Sequence, residues 1–250
     1  GQGEHILWVE NSFHTVAVEL MGHSDTKFHL SDVQYRASYA VPAVSEPVQG
    51  RQLHTQPSDK RGDAKDNVNV ASIRVHSLGA RLPFSGIPDM VDVGDAVHAF
   101  MVADPGKSAP FTERMQLAER VLFNWNVNQL APKDLLAASD RLAEFVMRNF
   151  ESATIRKECP IFGNVDGQRT HGRIDVLIET RRGLAILDHK TFPGSYDQWI
   201  ARAASYAPQL SIYADLACKA TGLPLLGLLV HLPIIGVVAD VTNVGSQRVS

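Results

Sequence analysis

The stretch Gly172–Thr191, GRIDVLIETRRGLAILDHKT, constrains this chain more than any other. Two runs rich in Val, Ile and Leu flank Arg181-Arg182-Gly183, a pattern that predicts an antiparallel hairpin. Each run carries an aspartate, Asp175 and Asp188, where a strand normally carries something apolar, and Lys190 follows the second. Strand side chains alternate, so Ile174, Val176 and Ile178 are expected on one face of the first strand and Asp175, Leu177 and Glu179 on the other. In the second strand Ile186, Asp188 and Lys190 fall together. Charges inside a sheet are costly unless they are paired or hold a metal. Two carboxylates that converge there can bind a hard cation such as Mg²⁺ or Mn²⁺, with Lys190 beside it. By itself D-x-K is a common tripeptide that reads more readily as a salt bridge at the strand ends.

The rest of the chain gives that hairpin a setting. At 250 residues, 44% hydrophobic and 20% charged, it is long enough to bury a sizeable core without disulfides. Cys159 and Cys218 have no metal-type spacing. No apolar run reaches the ~18 residues of a membrane helix, and GQGEHILWVE lacks the basic and apolar regions of a signal peptide. A cytoplasmic protein is the expectation. The net charge of −3 gives no global support for nucleic-acid binding, so any such surface must be local.

Residues 1–44 read as a strand-rich N-terminal segment and 45–70 as a polar, proline-bearing linker or long loop. Residues 71–250 read as one domain. There, VGDAVHAFMVAD, TERMQLAERVLFNWNVNQL and KDLLAASDRLAEFVMRNF predict three helices. The latter two read as amphipathic packing elements, with Phe123 and Trp125 in the core. A strand block from Thr154 follows, ending in LLGLLVHL and GVVADVT. It is interrupted by one helix in SYAPQLSIYADLACKATG, with Ser205 as N-cap and Gly222 as stop. DPGKSAP holds Gly106-Lys107-Ser108, but Met101 stands where a P-loop needs its first glycine, so the segment reads as a loop. No ATPase motor is expected within these residues.

Two further features bear on the hairpin. His98 lies on the first predicted helix with Gly94 four residues before it, and an imidazole suits Mn²⁺ or Mg²⁺ as an additional ligand. Gln209 and Tyr213, at i and i+4, share one face of the later helix. Each feature alone is ordinary helix surface.

In this order, G-x-x-x-H from Gly94 to His98, GRIDVLIE with Asp175, LDHKT with Asp188 and Lys190, and YAPQLSIYADL with Gln209 and Tyr213 resemble the RecB-like branch of the PD-(D/E)xK nucleases. The likeness is to the C-terminal nuclease domain of RecB/AddA-type helicase-nucleases, over roughly residues 73–242. It implies a restriction-endonuclease-like α/β core, a mixed sheet flanked by helices. It implies that His98, Asp175 and Asp188 ligate Mg²⁺ or Mn²⁺ together with the backbone carbonyl of His189, that Lys190 is catalytic, and that Gln209 and Tyr213 complete the catalytic set. Glu158 resembles the accessory acidic residue that often precedes the first aspartate. His189 departs from the tyrosine common at its position, and the cysteines that frame an iron–sulfur cluster in some relatives are absent, so no cluster is expected. DNA is the implied partner, with a UvrD-like motor earlier in the same full-length polypeptide and a second helicase-nuclease subunit. The implied activity is metal-dependent cleavage of DNA, of exonuclease or end-processing type, in recombinational repair. The competing reading is a non-catalytic DNA-binding or interaction domain of the same fold; retention of D-x-K and His98 favours the enzyme.

Overall fold

The computed structural model describes residues 51–52, 73–165 and 168–244. The expected strands before residue 51, most of the expected linker and the last six residues lie outside the described residues. Helix α1, Met90–Ala103, starts at Asp89, whose carboxylate accepts from the Val91 amide and so satisfies one of the otherwise orphaned N-terminal donors. The Gly106–Ser108 segment is a single 3₁₀ turn, as its prolines and glycine suggest. Helices α2, Phe111–Asn124, and α3, Pro132–Asn149, follow, the latter with proline in its first turn, where the missing N–H has no partner to lose.

Two hairpins and a crossover then build the sheet. Strands β3, Thr154–Val165, and β4, Gln168–Thr180, form a long antiparallel ribbon. The Thr180–Gly183 turn returns the chain into β5, Gly183–His189, every residue of which is buried. Helices α4, Tyr196–Ser205, and α5, Ala207–Thr221, carry the crossover to β6, Leu225–Leu232, parallel to β5. Strand β7, Val237–Asp240, returns antiparallel, and β2, Arg74–Ser77, closes that edge. A two-residue strand β1, Arg51–Gln52, pairs parallel with β4 at Thr170 and His171. The order across the sheet is β1-β4-β5-β6-β7-β2, with β3 on β4.

Both faces of the sheet are covered over its centre. Helices α4 and α5 supply Trp199, Ala203, Leu210, Tyr213 and Leu216 to one face, against Leu177, Ile186, Leu228 and Val230. Phe145 and Val146 of α3 pack on the other, against Val176, Ile178, Leu187 and Leu229, while α1, α2 and α3 share a further cluster around Phe100 and Leu135. Each fully buried aliphatic side chain contributes about 1.5–3 kcal/mol, which makes the central strands the stable frame for anything at their ends.

Three expectations need correction. The region between β5 and β6 holds two helices, not one. Ser205 closes the first, its hydroxyl donating to the Arg202 carbonyl at 2.7 Å, and Tyr206 occupies the junction. Phe123 is 80% exposed and not core, because the buried positions of that turn are taken by Val121 and Leu122. Ile174 does not share a face with Val176 and Ile178: it packs with Leu177 and Ile186, so strict alternation breaks at Asp175.

Candidate metal centre and active site

The break in alternation is where the acids gather. On β3, Lys157 pairs with Val176 and Cys159 with Ile174, so Glu158 falls opposite Asp175. Glu158 has φ 55°, a left-handed conformation uncommon for a residue with a side chain, and the strand turns over there. Lys157 reaches the C-terminal carbonyls of α1, donating to Met101 and Asp104 at 2.7 and 2.8 Å, whereas Cys159 is buried on the α5 side. On the other side of β4, pairing with β5 ends at Val176–Leu187, so the next rung sets Asp175 against Asp188. Glu158, Asp175 and Asp188 therefore occupy one rung across three neighbouring strands. At that rung side-chain contacts replace the ladder, and the His189 amide donates to Asp175 Oδ2 at 2.8 Å.

Helix α1 covers this rung with His98. Its Nε2 lies 3.2 Å from Glu158 Oε1 and its Nδ1 3.7 Å from Asp175 Oδ2. Gly94, one turn earlier, faces Thr191: a Cβ there would lie 2.7 Å from Thr191 Oγ1. The absence of a side chain thus lets α1 approach the end of β5 and bring His98 over the acids. Arg173 Nη1 donates to Glu158 Oε2 at 2.7 Å from the solvent side.

The electrostatics show what such a rung costs. Burial, reinforced by the charge of Asp188, pushes the Asp175 carboxyl up to about 7. Burial would raise Glu158 too, but hydrogen bonds from His98 and Arg173 outweigh it and hold that carboxyl low. The hydrogen bond to Glu158 raises His98 despite partial burial, and Asp175 adds to the effect. Burial works against the Lys190 charge, yet Asp188 and Asp175 hold its pKa above the ordinary value. Lys190 Nζ stands 2.6 Å from Asp188 Oδ2 as an ion pair, but no well-directed hydrogen bond reaches that buried oxygen.

This donor set fits a small hard cation. One ligand atom from each of His98, Glu158 and Asp175 lies within 4.8 Å of the others, and Asp188, paired with Lys190, sits at the same rung. Carboxylate oxygens with one imidazole suit Mg²⁺ or Mn²⁺. The resemblance implies His98, Asp175 and Asp188 as ligands and Glu158 as an accessory; the geometry puts Glu158 in the tightest cluster, with His98 and Asp175. His189 contributes its amide to Asp175, and its ring, fully buried, meets His231 with the two Nδ1 atoms 2.9 Å apart, so that one nitrogen donates and the other accepts. Burial, with the neighbouring His231, holds the His189 ring far below its ordinary pKa, and burial takes His231 to about 3, which keeps both rings neutral.

Gln209 and Tyr213 stand behind the rung. The Gln209 amide donates to the Tyr213 hydroxyl at 3.0 Å, and that phenol occupies the space left by Gly172, three residues before Asp175. Two neighbours escaped the sequence reading. The Tyr206 ring lies 5.0 Å from Lys190 Nζ and 5.7 Å from the Arg202 guanidinium, whose Nε also donates to the Tyr206 hydroxyl. Nothing flagged Tyr206, because the junction it occupies was not foreseen. His231 carried a signal, a lone polar residue in the aliphatic run LLGLLVHL.

Comparison with known proteins adds a family. The model of the PD-(D/E)XK nuclease superfamily matches residues 72–238, which contain the whole rung and the helix that covers it. Among solved structures, the crystal structure of protein VC1899 from Vibrio cholerae is similar at 10% identity and a TM-score of 0.20, over 54% of this chain and 48% of that one. The overlap thus spans about half of that chain's length, and at that score the likeness carries no argument. No curated protein matches the sequence.

Proposed function

From the premise that this chain belongs to the PD-(D/E)XK nuclease superfamily, we propose that it is a Mg²⁺- or Mn²⁺-dependent deoxyribonuclease of exonuclease or end-processing type. One observation carries the reading: three carboxylates on one rung, two of them against His98 and the third, Asp188, buried with its Oδ2 2.6 Å from the Lys190 ammonium. A structural salt bridge would not need three acids.

His98, Glu158, Asp175 and Asp188 would hold the cation, with the His189 carbonyl as a further ligand. The cation, when bound, lowers the pKa of a water and neutralises charge that develops on phosphorus. Lys190, kept charged by Asp188 and Asp175, donates to a phosphate oxygen as negative charge grows there. Tyr206 limits where that ammonium can point, and the Gln209–Tyr213 pair supports β4 beneath Asp175. The His189–His231 contact fixes the backbone of the residue between Asp188 and Lys190. The order of the motifs supports placement near the RecB/AddA-like nucleases, so we extend the proposal to a helicase-linked role in recombinational DNA repair, with a motor region in the same polypeptide and a second helicase-nuclease subunit as partners.

Labelled linear and circular DNA, incubated with Mg²⁺ or Mn²⁺, tests the reading against Asp188→Ala and Lys190→Ala. Metal-dependent cleavage that both substitutions abolish is expected. Cleavage no greater than in the two variants with either metal would leave the non-catalytic DNA-binding reading in its place.

A further inference from the structure

Beyond the rung, the β3–β4 ribbon runs on without β5. From Cys159–Ile174 outward its two faces differ. Cys159, Ile161 and Ile174 turn toward α5 and are buried, and Gly163 and Gly172 admit Leu216 and the Tyr213 phenol. The opposite face carries the pairs Pro160–Arg173, Phe162–His171 and Asn164–Arg169. Phe162 is 41% exposed, and Arg169, Arg173 and Asn164 are also exposed. These six residues include two arginines and no carboxylate, in a chain whose net charge is −3. The stripe is continuous with the acid rung, since Arg173 bonds Glu158, the next residue of that face.

We propose that this open face is a track for single-stranded nucleic acid, which it leads along the ribbon into the rung of Glu158, Asp175 and Asp188. The inference rests on the nuclease reading and specifies the form of its substrate. Successive positions on one strand face stand about 6.6–6.8 Å apart, so Arg173, His171 and Arg169 mark out about 13 Å. The arginines suit phosphates. Arg173 spends one donor on Glu158 and keeps the rest of its guanidinium, on a side chain 66% exposed, for a phosphate next to the rung. Phe162, midway between them, offers a stacking platform. A duplex hides its base faces from such a platform, whereas an unpaired base presents one, and this favours the single strand. The alternation of cation and aromatic also explains why an apolar ring stands in water on a ribbon whose other face is well packed.

Fluorescence anisotropy on the full chain tests this, with Asp188→Asn throughout so that Mg²⁺ can be present without turnover. The probes are a short mixed-sequence DNA strand, the same strand annealed to its complement, and its RNA equivalent. Single strands should bind tighter than the duplex, and the DNA and RNA arms identify which sugar the track prefers. Phe162→Ala should weaken single-strand binding about tenfold or more, as loss of one stacked base implies, while duplex binding changes less. Phe162→Trp should restore it. Arg169→Glu should weaken binding and flatten its salt dependence by about one charge or more. Single-strand affinity unchanged in these variants overturns the track and leaves the nuclease reading standing, as does a change confined to self-association in sedimentation, which would make the ribbon a contact with a second copy. A folded Asp188→Asn protein that binds no nucleic acid in any form overturns both.

Discussion

Two clusters of buried charge meet α1, one at its C-cap Asp104 and one at His98, and they resolve the same problem in opposite ways. Near the C-terminal end of the helix, Asp104 is enclosed by Arg114, whose side chain is 4% exposed. Oδ1 accepts from Arg114 Nε and the Gly106 amide, and Oδ2 from Arg114 Nη2 and Ser139. Arg114 also reaches Asp140 at 2.7 Å. Burial would raise the Asp104 carboxyl, but these donors hold it low. At the rung beside His98 there are three carboxylates, and Asp175 is driven upward while Asp188 keeps a buried oxygen whose close partner is the Lys190 ammonium. In the first cluster each Asp104 oxygen has two donors; in the second, Lys190 pairs with Asp188 and Arg173 with Glu158, and among the described residues no cationic side chain hydrogen-bonds Asp175. Buried charge is therefore no guide to function unless its hydrogen bonds are followed to the end.

The same substitution in each cluster breaks the comparison most sharply. Asp175→Asn should reduce DNA cleavage about 10³-fold or more, since it removes charge where the cation and phosphate meet. In EDTA near pH 8 it should leave the melting temperature unchanged or raise it, because the charge it deletes is one that burial and Asp188 oppose. Asp104→Asn should do the reverse. Arg114 would be left under-compensated in a closed site, at a loss of about 3–5 kcal/mol of stability in urea titration, with cleavage retained at temperatures where the protein stays folded. If both variants lost activity and stability together, the division into a structural and a functional cluster would collapse.

The two clusters were not equally legible. Asp175, Asp188 and Lys190 stood out because a charged residue in an aliphatic run violates the pattern of a buried strand, and β5 is buried over its whole length. Glu158 did not, because TIRKECPIF is mixed in polarity; what gives it its place is a left-handed backbone conformation that no residue type there announces. Asp104 and Arg114 lie on separate elements joined by a turn, and nothing in either segment indicates that they meet. The three helices before β3 and the strands β6 and β7 followed from periodicity. Helix α4 is absent from the sequence reading although its capping box, Ser195 with Gln198, is written in the sequence.

The opposed carboxyl shifts give the clusters opposite pH signatures. Asp175, raised to about 7 from an ordinary ~3.9, holds a proton in the folded state that the unfolded chain releases between those values. Its contribution to stability is complete below the unfolded value and is lost as pH rises through about 7. Asp104, lowered, contributes above the unfolded value and loses that contribution as pH falls through its folded pKa. The buried, neutral His189 and His231 gain stability over the same interval, so Asp175 is read as a difference: the melting temperature of the metal-free protein relative to Asp175→Asn should fall by a few degrees from about pH 6 to about pH 8, whereas relative to Asp104→Asn it should not change. Mg²⁺ competes with that proton, so the melting shift it produces should grow over the same interval. Differential scanning fluorimetry in EDTA and in Mg²⁺ measures both; a metal shift that did not change with pH would separate Asp175 from the cation.

The smallest expected effect tests whether distance or enclosure gives an ion pair its weight. Lys107 Nζ and Glu144 Oε1 are 2.8 Å apart, much as Lys190 and Asp188 are at 2.6 Å, yet the side chains of the first pair are 54% and 47% exposed against 28% and 9% for the second. Water solvates the first pair nearly as well apart as together, and salt screens what remains. Lys107→Ala should move the melting temperature by no more than about 1 °C at moderate ionic strength and leave cleavage unchanged. Lys190→Ala, across a similar gap, should abolish cleavage, because the ammonium it removes is fixed by enclosure beside an otherwise unsatisfied oxygen and over the Tyr206 ring. Equal consequences from the two substitutions would mean that enclosure confers nothing on Lys190, and the reading of the rung as a catalytic site would lose its physical basis.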